Sequence, residues 1–385
     1  MTGPREFDLV LQGATGFTGR LAAEELRSCA PSSLRWAVAG RCPERVHALA
    51  RKLDVQGLVA DGLDRSAVGA LAARTRVVLS CAGPFTRWGS LLVAACVEEG
   101  VHYADLTGEL PWMETLIDRH HEDCVERRIA IVPASGFDSV PTDLGVQALV
   151  TELGQAVPIH GFFTLQGGLN GGTLHSGLAL AEDGSPPTTP SRPIFPLPVL
   201  DRWAAPFLMA PVNERVVGRS AEMMAGVQSG YGPSFLYREH LLTRGRAGAW
   251  GMATLLKSAN RMLASPSGRW LLRRFGPKPG EGPSERAIRM GFANLVLLAG
   301  PLNDPIAIRR WAWDGDPGNR ITVRCLVQTG LALAAGEALR GGVLTPASAL
   351  GSSLFNRLQD SGAVREGASG SGAVGVSAPV GATIH

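Results

Sequence analysis

Apolar residues along the first third of the chain fall in short dense runs, separated by polar turns and by stretches in which they recur every three or four positions. Phe7 to Leu11 is the first run, broken only by Asp8, and Leu34–Ala39, Gly57–Ala60, Arg76–Ser80, Val101–Leu106 and Ile129–Pro133 repeat it. Runs of this length bounded by turn residues predict strands buried on both faces. Helical spacing fills the intervals. Leu21–Leu26 begins an Ala/Leu/Glu-rich helix, and Pro43 opens another that carries Val46, Leu49, Ala50 and Leu53 on one face. Asp64 caps a helix running to Ala73, and Ser90–Glu99 and Pro111–Arg128 supply two more. A further helix is expected to begin at Asp138 or Thr142. Six alternating strand and helix units predict an α/β fold, a doubly wound parallel sheet with helices on both faces.

The stretch joining the first strand to the first helix carries the chemistry. It reads Gly13-Ala14-Thr15-Gly16-Phe17-Thr18-Gly19, three glycines at a spacing of three. Strand, glycine turn and helix in that order are the setting of a dinucleotide fingerprint. Gly13 would allow the sharp turn, Gly16 the approach of a pyrophosphate to the backbone, and Gly19 the close packing of helix on strand. The helix N-terminus then stabilises the phosphates. A structural glycine turn is the alternative. The second strand ends in Gly40-Arg41 with no Asp or Glu to take a ribose 2′-hydroxyl, so Arg41 is expected to pair with a 2′-phosphate, which points to NADP(H). An ordinary surface arginine is the alternative here. Loops at the carboxyl ends of the strands should line the ligand crevice. They add Ser80, Ala82, Gly83, Pro84 and Gly136 to Gly13, Thr15, Gly16, Phe17, Thr18, Gly19 and Arg41 as expected cofactor-binding residues. Phe85 and Trp88 either wall an apolar pocket or pack on the sheet.

After about Gly154 the pattern changes. Ile159–Gln166, Ile288–Ala299 and Ile306–Asp314 read as strands of a second, α+β domain, and Gln328–Arg340 reads as a helix. Residues 167–172 form a flexible glycine turn, and six prolines between 184 and 198 predict an irregular loop. The expected organisation is a Rossmann domain over 1–154 and an α+β substrate or dimerisation domain over 155–330. A helical segment over 331–361 packs back on the first domain, and a Gly/Ala/Ser/Val-rich tail over 362–385 is disordered.

Composition narrows the function. The 385 residues are 45% apolar and 18% charged, with a net charge of only +3, which gives a nucleic-acid role little support. No secretory leader opens the sequence, no apolar run of spanning length interrupts it, and the six cysteines form no Cys-x-x-Cys pair. A cytoplasmic protein without a zinc site is expected. One local asymmetry stands out. Between Arg238 and Lys278, nine Arg and Lys residues stand against Glu239 alone, interleaved with Trp250, Leu255, Met262, Trp270 and other apolar residues. This amphipathic segment, 238–278, is either a solvated helix face, a dock for an anionic membrane surface, or a dock for an acidic protein partner. Membrane docking would make the protein peripheral.

With these residues in place the chain resembles the saccharopine dehydrogenase-like oxidoreductases, and within them the branch of the mycobacterial trans-acting enoyl reductases. The matching blocks are the glycine turn, Ala39-Gly40-Arg41, Gly83-Pro84-Phe85 with Gly89, the run 103–109, the run 136–143, Pro279-Gly280-Glu281-Gly282-Pro283-Ser284 and the run 341–348. They span nearly the whole chain. Asn319 departs from the branch, which carries an aromatic residue after the Asp-Pro-Gly of residues 316–318. The resemblance implies a Rossmann domain plus an α+β domain, NADP(H), and hydride transfer to an acyl or polyketide chain held by a carrier domain of a polyketide synthase. A homodimer is an admissible assembly. Tyr103 is the candidate proton donor, against the alternative of a strand tyrosine packed on a helix; Asp105 and Glu109 order the crevice. A saccharopine-reductase-like amino-acid dehydrogenase and a non-catalytic NADP-binding regulator remain as alternative functions.

Overall fold

In the computed structural model, described for residues 5–185, 193–225, 231–232 and 235–367, the short apolar runs pair side by side. Strands β1 (Leu9–Gln12), β2 (Trp36–Gly40), β3 (Gln56–Val59), β4 (Val77–Ser80), β5 (His102–Asp105) and β6 (Ala130–Val132) form one parallel sheet. Its order is β6-β5-β4-β1-β2-β3, with β1 at the point where the winding reverses and Leu11 in register with both Val38 and Leu79. Successive side chains of β1 enter different cores. Leu9 and Leu11 pack with helices Phe17–Cys29 and Val140–Leu153, while Val10 packs with helices Arg65–Ala72, Ser90–Glu99 and Leu110–Arg127. Each such fully buried leucine contributes about 1.5–3 kcal/mol.

The second sheet has the order β14-β12-β11-β7-β10-β9-β8. Its strands are β7 (Ile159–Gln166), β8 (Phe195–Leu197), β9 (Arg202–Ala205), β10 (Tyr237–Thr243), β11 (Phe292–Ala299), β12 (Ala307–Asp314) and, after the chain's return, β14 (Arg365–Glu366). Only β7 and β10 run parallel; the other pairs are antiparallel. Phe137, from the loop after β6, meets Phe163 and Trp313 edge-on at 5.7 Å each, so the two sheets share one continuous core.

Several expectations need correction. The first helix begins at Phe17, not near Leu21, because the glycine turn itself supplies its first residues. Helix 140–153 begins after Ser139, not at Asp138 or Thr142. The C-terminal helix is Thr322–Ala334 rather than 328–340: Gly336, at φ +79, closes it early. It packs against β4 and β5, so the return to the first sheet starts within residues assigned by sequence to the second domain. A two-residue strand, β13 (Gly342–Val343), then extends that sheet beyond β6. Residues 285–290 are helical because Ser284 Oγ accepts the Ala287 amide at 3.3 Å, and the strand begins only at Phe292. Inside the expected irregular loop β8 forms, while Pro186, Pro187 and Pro190 lie outside the described residues. Part of the expected amphipathic segment is β10, an interior strand. Residues 368–385 of the expected disordered tail also lie outside the described residues.

Candidate functional site

A cleft of about 520 Å³ opens at the carboxyl ends of β1, β2 and β4, where the winding of the first sheet reverses. Its floor is backbone. Gly13 turns at φ +76, and a Cβ there would lie 2.9 Å from the Ala82 amide nitrogen. Gly19 sits beneath the turn, where a Cβ would lie 2.1 Å from the Gly13 carbonyl oxygen. Gly16 is the extended N-cap of helix 17–29 and provides no side-chain cap, which leaves the first-turn amides to a ligand.

Cations stand at one end. Arg41 and Arg45 both line the cleft; the Arg41 guanidinium lies 5.9 Å from the Trp88 ring centroid, and Arg45 Nη2 donates to the Thr15 carbonyl at 2.7 Å. A glycine cradle that no Cβ could share, open helix amides and two guanidiniums past β2 fit a dinucleotide bearing a 2′-phosphate.

The opposite wall belongs to the second domain. Helix Gly171–Glu182 lies over the cleft and presents Gly172, His175, Leu178, Ala179 and Glu182, the three-and-four spacing of one helical face. Asn170 caps it, its side chain accepting the Thr173 amide at 2.9 Å. Two ties fix it to the first domain. The buried Glu109 carboxylate accepts from the Phe85 and Thr86 amides at 2.9 Å each, from Thr86 Oγ1 at 2.8 Å and from Ser176 Oγ at 2.9 Å. Glu182 pairs with Arg87 at 2.9 Å and with Arg273. Pro279 and Gly280 close the rim, and the Phe17 ring lies so near Gly282 that a Cβ there would be 2.3 Å from it.

Of the residues expected from the sequence, Gly13, Thr15, Gly16, Phe17, Thr18, Arg41, Ala82, Gly83 and Pro84 line this cleft, as does Trp88. Gly19 supports it from below. Ser80 is buried, its Oγ 3.4 Å from the Ala82 amide, and Gly136 packs against Leu106 and Thr322; neither reaches the cleft. Phe85 is buried against the core.

Tyr103 is the chief correction. It is fully buried and its hydroxyl donates to Asp105 Oδ2 at 2.9 Å, so its proton faces the core and not the crevice. Asp105 also accepts from the Thr107 and Ala134 amides and from Trp112 Nε1, while burial pushes its pKa up to about 6. Tyr103 is thus part of a buried network on an interior strand, between β4 and β6. Asn319, where the branch has an aromatic residue, is buried too. It binds Asn170, Gly168 and Asp316 and braces the start of helix 171–182.

Sequence reasoning missed Arg45, the Glu182 pairs and His175. His175 is half-buried in the wall; burial, and secondarily the Arg273 charge, hold its pKa below the usual histidine value. The helical spacing of residues 172–182 was the available signal, hidden by the glycine run before it. Cys81, also in the wall, has its pKa pushed up to about 12 by burial and so stays a thiol.

Residues 9–132 match the family described as the saccharopine dehydrogenase NADP binding domain. A candidate trans-acting enoyl reductase of Mycobacterium tuberculosis is 36% identical over 93% of this chain and 97% of its own length. The trans-acting enoyl reductase of Mycobacterium bovis is 32% identical over 94% of this chain and 97% of its own. Among solved structures, apo saccharopine dehydrogenase from Saccharomyces cerevisiae superposes with a TM-score of 0.56 at 13% identity. That match covers 94% of this chain and 99% of the yeast chain, a likeness of fold alone.

Proposed function

We propose a reaction on the premise of kinship: the chain belongs to the saccharopine dehydrogenase-like oxidoreductases, alongside the mycobacterial trans-acting enoyl reductases, and is an NADP-dependent oxidoreductase. The proposed reaction is reduction of the carbon–carbon double bond of an enoyl thioester held on an acyl carrier. One observation carries the choice of substrate class. The second-domain wall of the cleft is backed by the buried Leu178 and Ala179, and the two cations beside it, Arg87 of the first domain and Arg273, are both paired with Glu182. Among the described residues, a dicarboxylic amino acid would find no unpaired cation on that wall, whereas an uncharged acyl chain requires none.

When bound, NADP(H) supplies the hydride. The chain's own residues have three tasks. The glycine turn and the amides of helix 17–29 hold the pyrophosphate, and Arg41 with Arg45 holds the 2′-phosphate. Glu109 fixes the Gly83–Thr86 loop to helix 171–182, so the two walls keep a constant separation. His175 takes a proton from water and, as the imidazolium, passes it to the α-carbon, the role expected of Tyr103 from the sequence; with its pKa held low that acidic form is the minor one at neutral pH, so turnover should fall as pH rises.

Purified protein should oxidise NADPH in the presence of enoyl thioesters and not in the presence of α-keto acids with ammonia or amino acids. His175→Gln should lower turnover by about 10²–10⁴-fold while NADPH affinity is retained. Oxidation of NADPH by keto acids but not by enoyl thioesters would refute the substrate class. Full turnover in His175→Gln would refute only the proton donor.

A further inference from the structure

Helices Arg246–Ala264 and Pro266–Phe275 form a hairpin hinged at Ser265, which ends one helix and caps the next by accepting the Gly268 amide at 3.0 Å. The helices touch closely at Gly268, where a Cβ would lie 2.2 Å from the Met262 carbonyl oxygen. The hairpin is nearly all surface: Ala249 and Ala253 are the buried residues of its first helix and Gly268 of its second. Trp250 is 53% exposed, Trp270 63% and Phe275 72%, with Leu255 and Leu271 exposed beside them. Solvated helix faces do not concentrate large apolar side chains in this way.

Charge selects the occupant. Residues 246–275 contain six Arg and Lys and no Asp or Glu. Arg273 pairs with Glu182, Arg269 donates to the Leu263 and Ala264 carbonyls, and Arg246 lies over Trp203. Lys257, Arg261 and Arg274 have no carboxylate partner among the described residues, and Arg274 lies over the Phe275 ring at 5.5 Å. In the second helix Trp270, Leu271, Arg274 and Phe275 fall within one arc by their spacing, cations and aromatics together. A second copy of this face would set cation against cation across a two-fold axis, so self-association is disfavoured. Exposed Trp and Phe among unpaired cations, without acids, match the boundary of an anionic bilayer, where rings sit at headgroup depth and cations meet phosphates.

We propose that the hairpin 246–275 docks the protein on an anionic membrane surface, with Trp250, Trp270 and Phe275 entering the headgroup layer and Lys257, Arg261 and Arg274 pairing with lipid phosphates. Among the described residues no helix is long and apolar enough to cross a membrane, so the contact is interfacial. The hairpin's second helix carries Arg273 to the cleft rim, and Gly276 just beyond it packs on Leu174 of the cleft-covering helix. The mouth of the cleft therefore lies beside the docked surface.

The test is flotation of the full chain with vesicles of phosphatidylglycerol and phosphatidylcholine, against vesicles of phosphatidylcholine alone. Wild type should bind the anionic vesicles at least about tenfold more tightly, and salt should weaken the binding. Trp250→Ala/Trp270→Ala/Phe275→Ala and Lys257→Glu/Arg261→Glu/Arg274→Glu should each reduce binding about tenfold or more. All six residues are at the surface and outside the cleft, so both variants should bind NADPH as wild type does. No preference for anionic vesicles would overturn the proposal, as would binding that neither variant weakens. Loss of binding to a purified acidic acyl-carrier protein in these variants, with wild type failing to float, would assign the hairpin to a protein partner and equally overturn it.

Discussion

The two walls of the cleft are built from different material. The first-domain wall is main chain: its shape is set by glycines at 13, 16 and 19, and a side chain at Gly13 or Gly19 would collide with backbone that cannot yield. The second-domain wall is side chain: His175, Leu178, Ala179 and Glu182 along one helix, held by Glu109 and the Glu182 pairs. A backbone wall recognises what every dinucleotide has, a pyrophosphate that wants amides. A side-chain wall can be altered residue by residue without disturbing the sheet beneath it. The division teaches where specificity for the cofactor ends and specificity for the substrate begins.

The contrast breaks most visibly at Gly19. Gly19→Ala places a methyl against the Gly13 carbonyl and Ala14, and the turn must move. Overpacking against backbone costs about 1–3 kcal/mol or more. Fluorescence titration of the eight tryptophans should show NADPH affinity reduced by at least about a hundredfold, with a lowered Tm. Unchanged affinity would mean that the turn does not shape the cofactor site.

Arg41 and Arg45 sharpen the comparison, because there the first-domain wall meets the ligand with charged side chains rather than with backbone. Replacing both by Ala should weaken NADPH by about 10–100-fold, the worth of one or two charge-assisted hydrogen bonds, and leave NADH unchanged. Equal weakening of both cofactors would place the two arginines on the pyrophosphate instead.

Glu239 tests whether the second domain is rigid for reasons of its own. It is buried in β10, accepting from Tyr237 Oη at 2.7 Å, Thr142 Oγ1 at 2.8 Å and Asn213 Nδ2 at 2.6 Å. Burial pushes its pKa from about 4.5 to about 8. The folded state therefore holds a proton that the unfolded state releases. The stability this contributes is full below pH 4.5 and declines as pH rises through 8. The slope is at most about 1.4 kcal/mol per pH unit. Asp105, Asp138 and Asp143, pushed up to about 6, act in the same sense at lower pH. His102 and His121, held low mainly by burial, act in the opposite sense. The difference between wild type and Glu239→Gln isolates the Glu239 contribution: wild type should lose more Tm than the variant between pH 6 and 8. Parallel Tm profiles would mean that Glu239 is ionised in the folded protein.

The same division explains what the sequence could disclose. The first domain was legible because its strands are uniform apolar runs and its turn is a local motif. Strand β10, reading Tyr-Arg-Glu-His-Leu-Leu-Thr, was not, because its buried carboxylate is satisfied by Asn213 and Thr142, far away in the chain. Tyr103 looked like a donor because a strand end near the crevice was legible; the direction of its hydroxyl depends on Asp105 and Trp112 and was not. Strand β13 has two residues and no pattern to detect. The cofactor half of the site was therefore written locally, and the substrate half arises only when helix 171–182 is laid across it.

The smallest expected effect closes the contrast from the other side. Gly177 lies within helix 171–182, and a Cβ built there meets nothing within 4 Å. A helix-interior glycine costs roughly 0.5–1 kcal/mol relative to alanine, through the backbone freedom it loses on folding. Gly177→Ala should thus raise Tm by a few degrees and leave NADPH affinity unaltered, the reverse of Gly19→Ala in both readouts. If Gly177→Ala instead slows turnover, the helix over the cleft must flex during the reaction, and its glycine is kept for movement rather than for space.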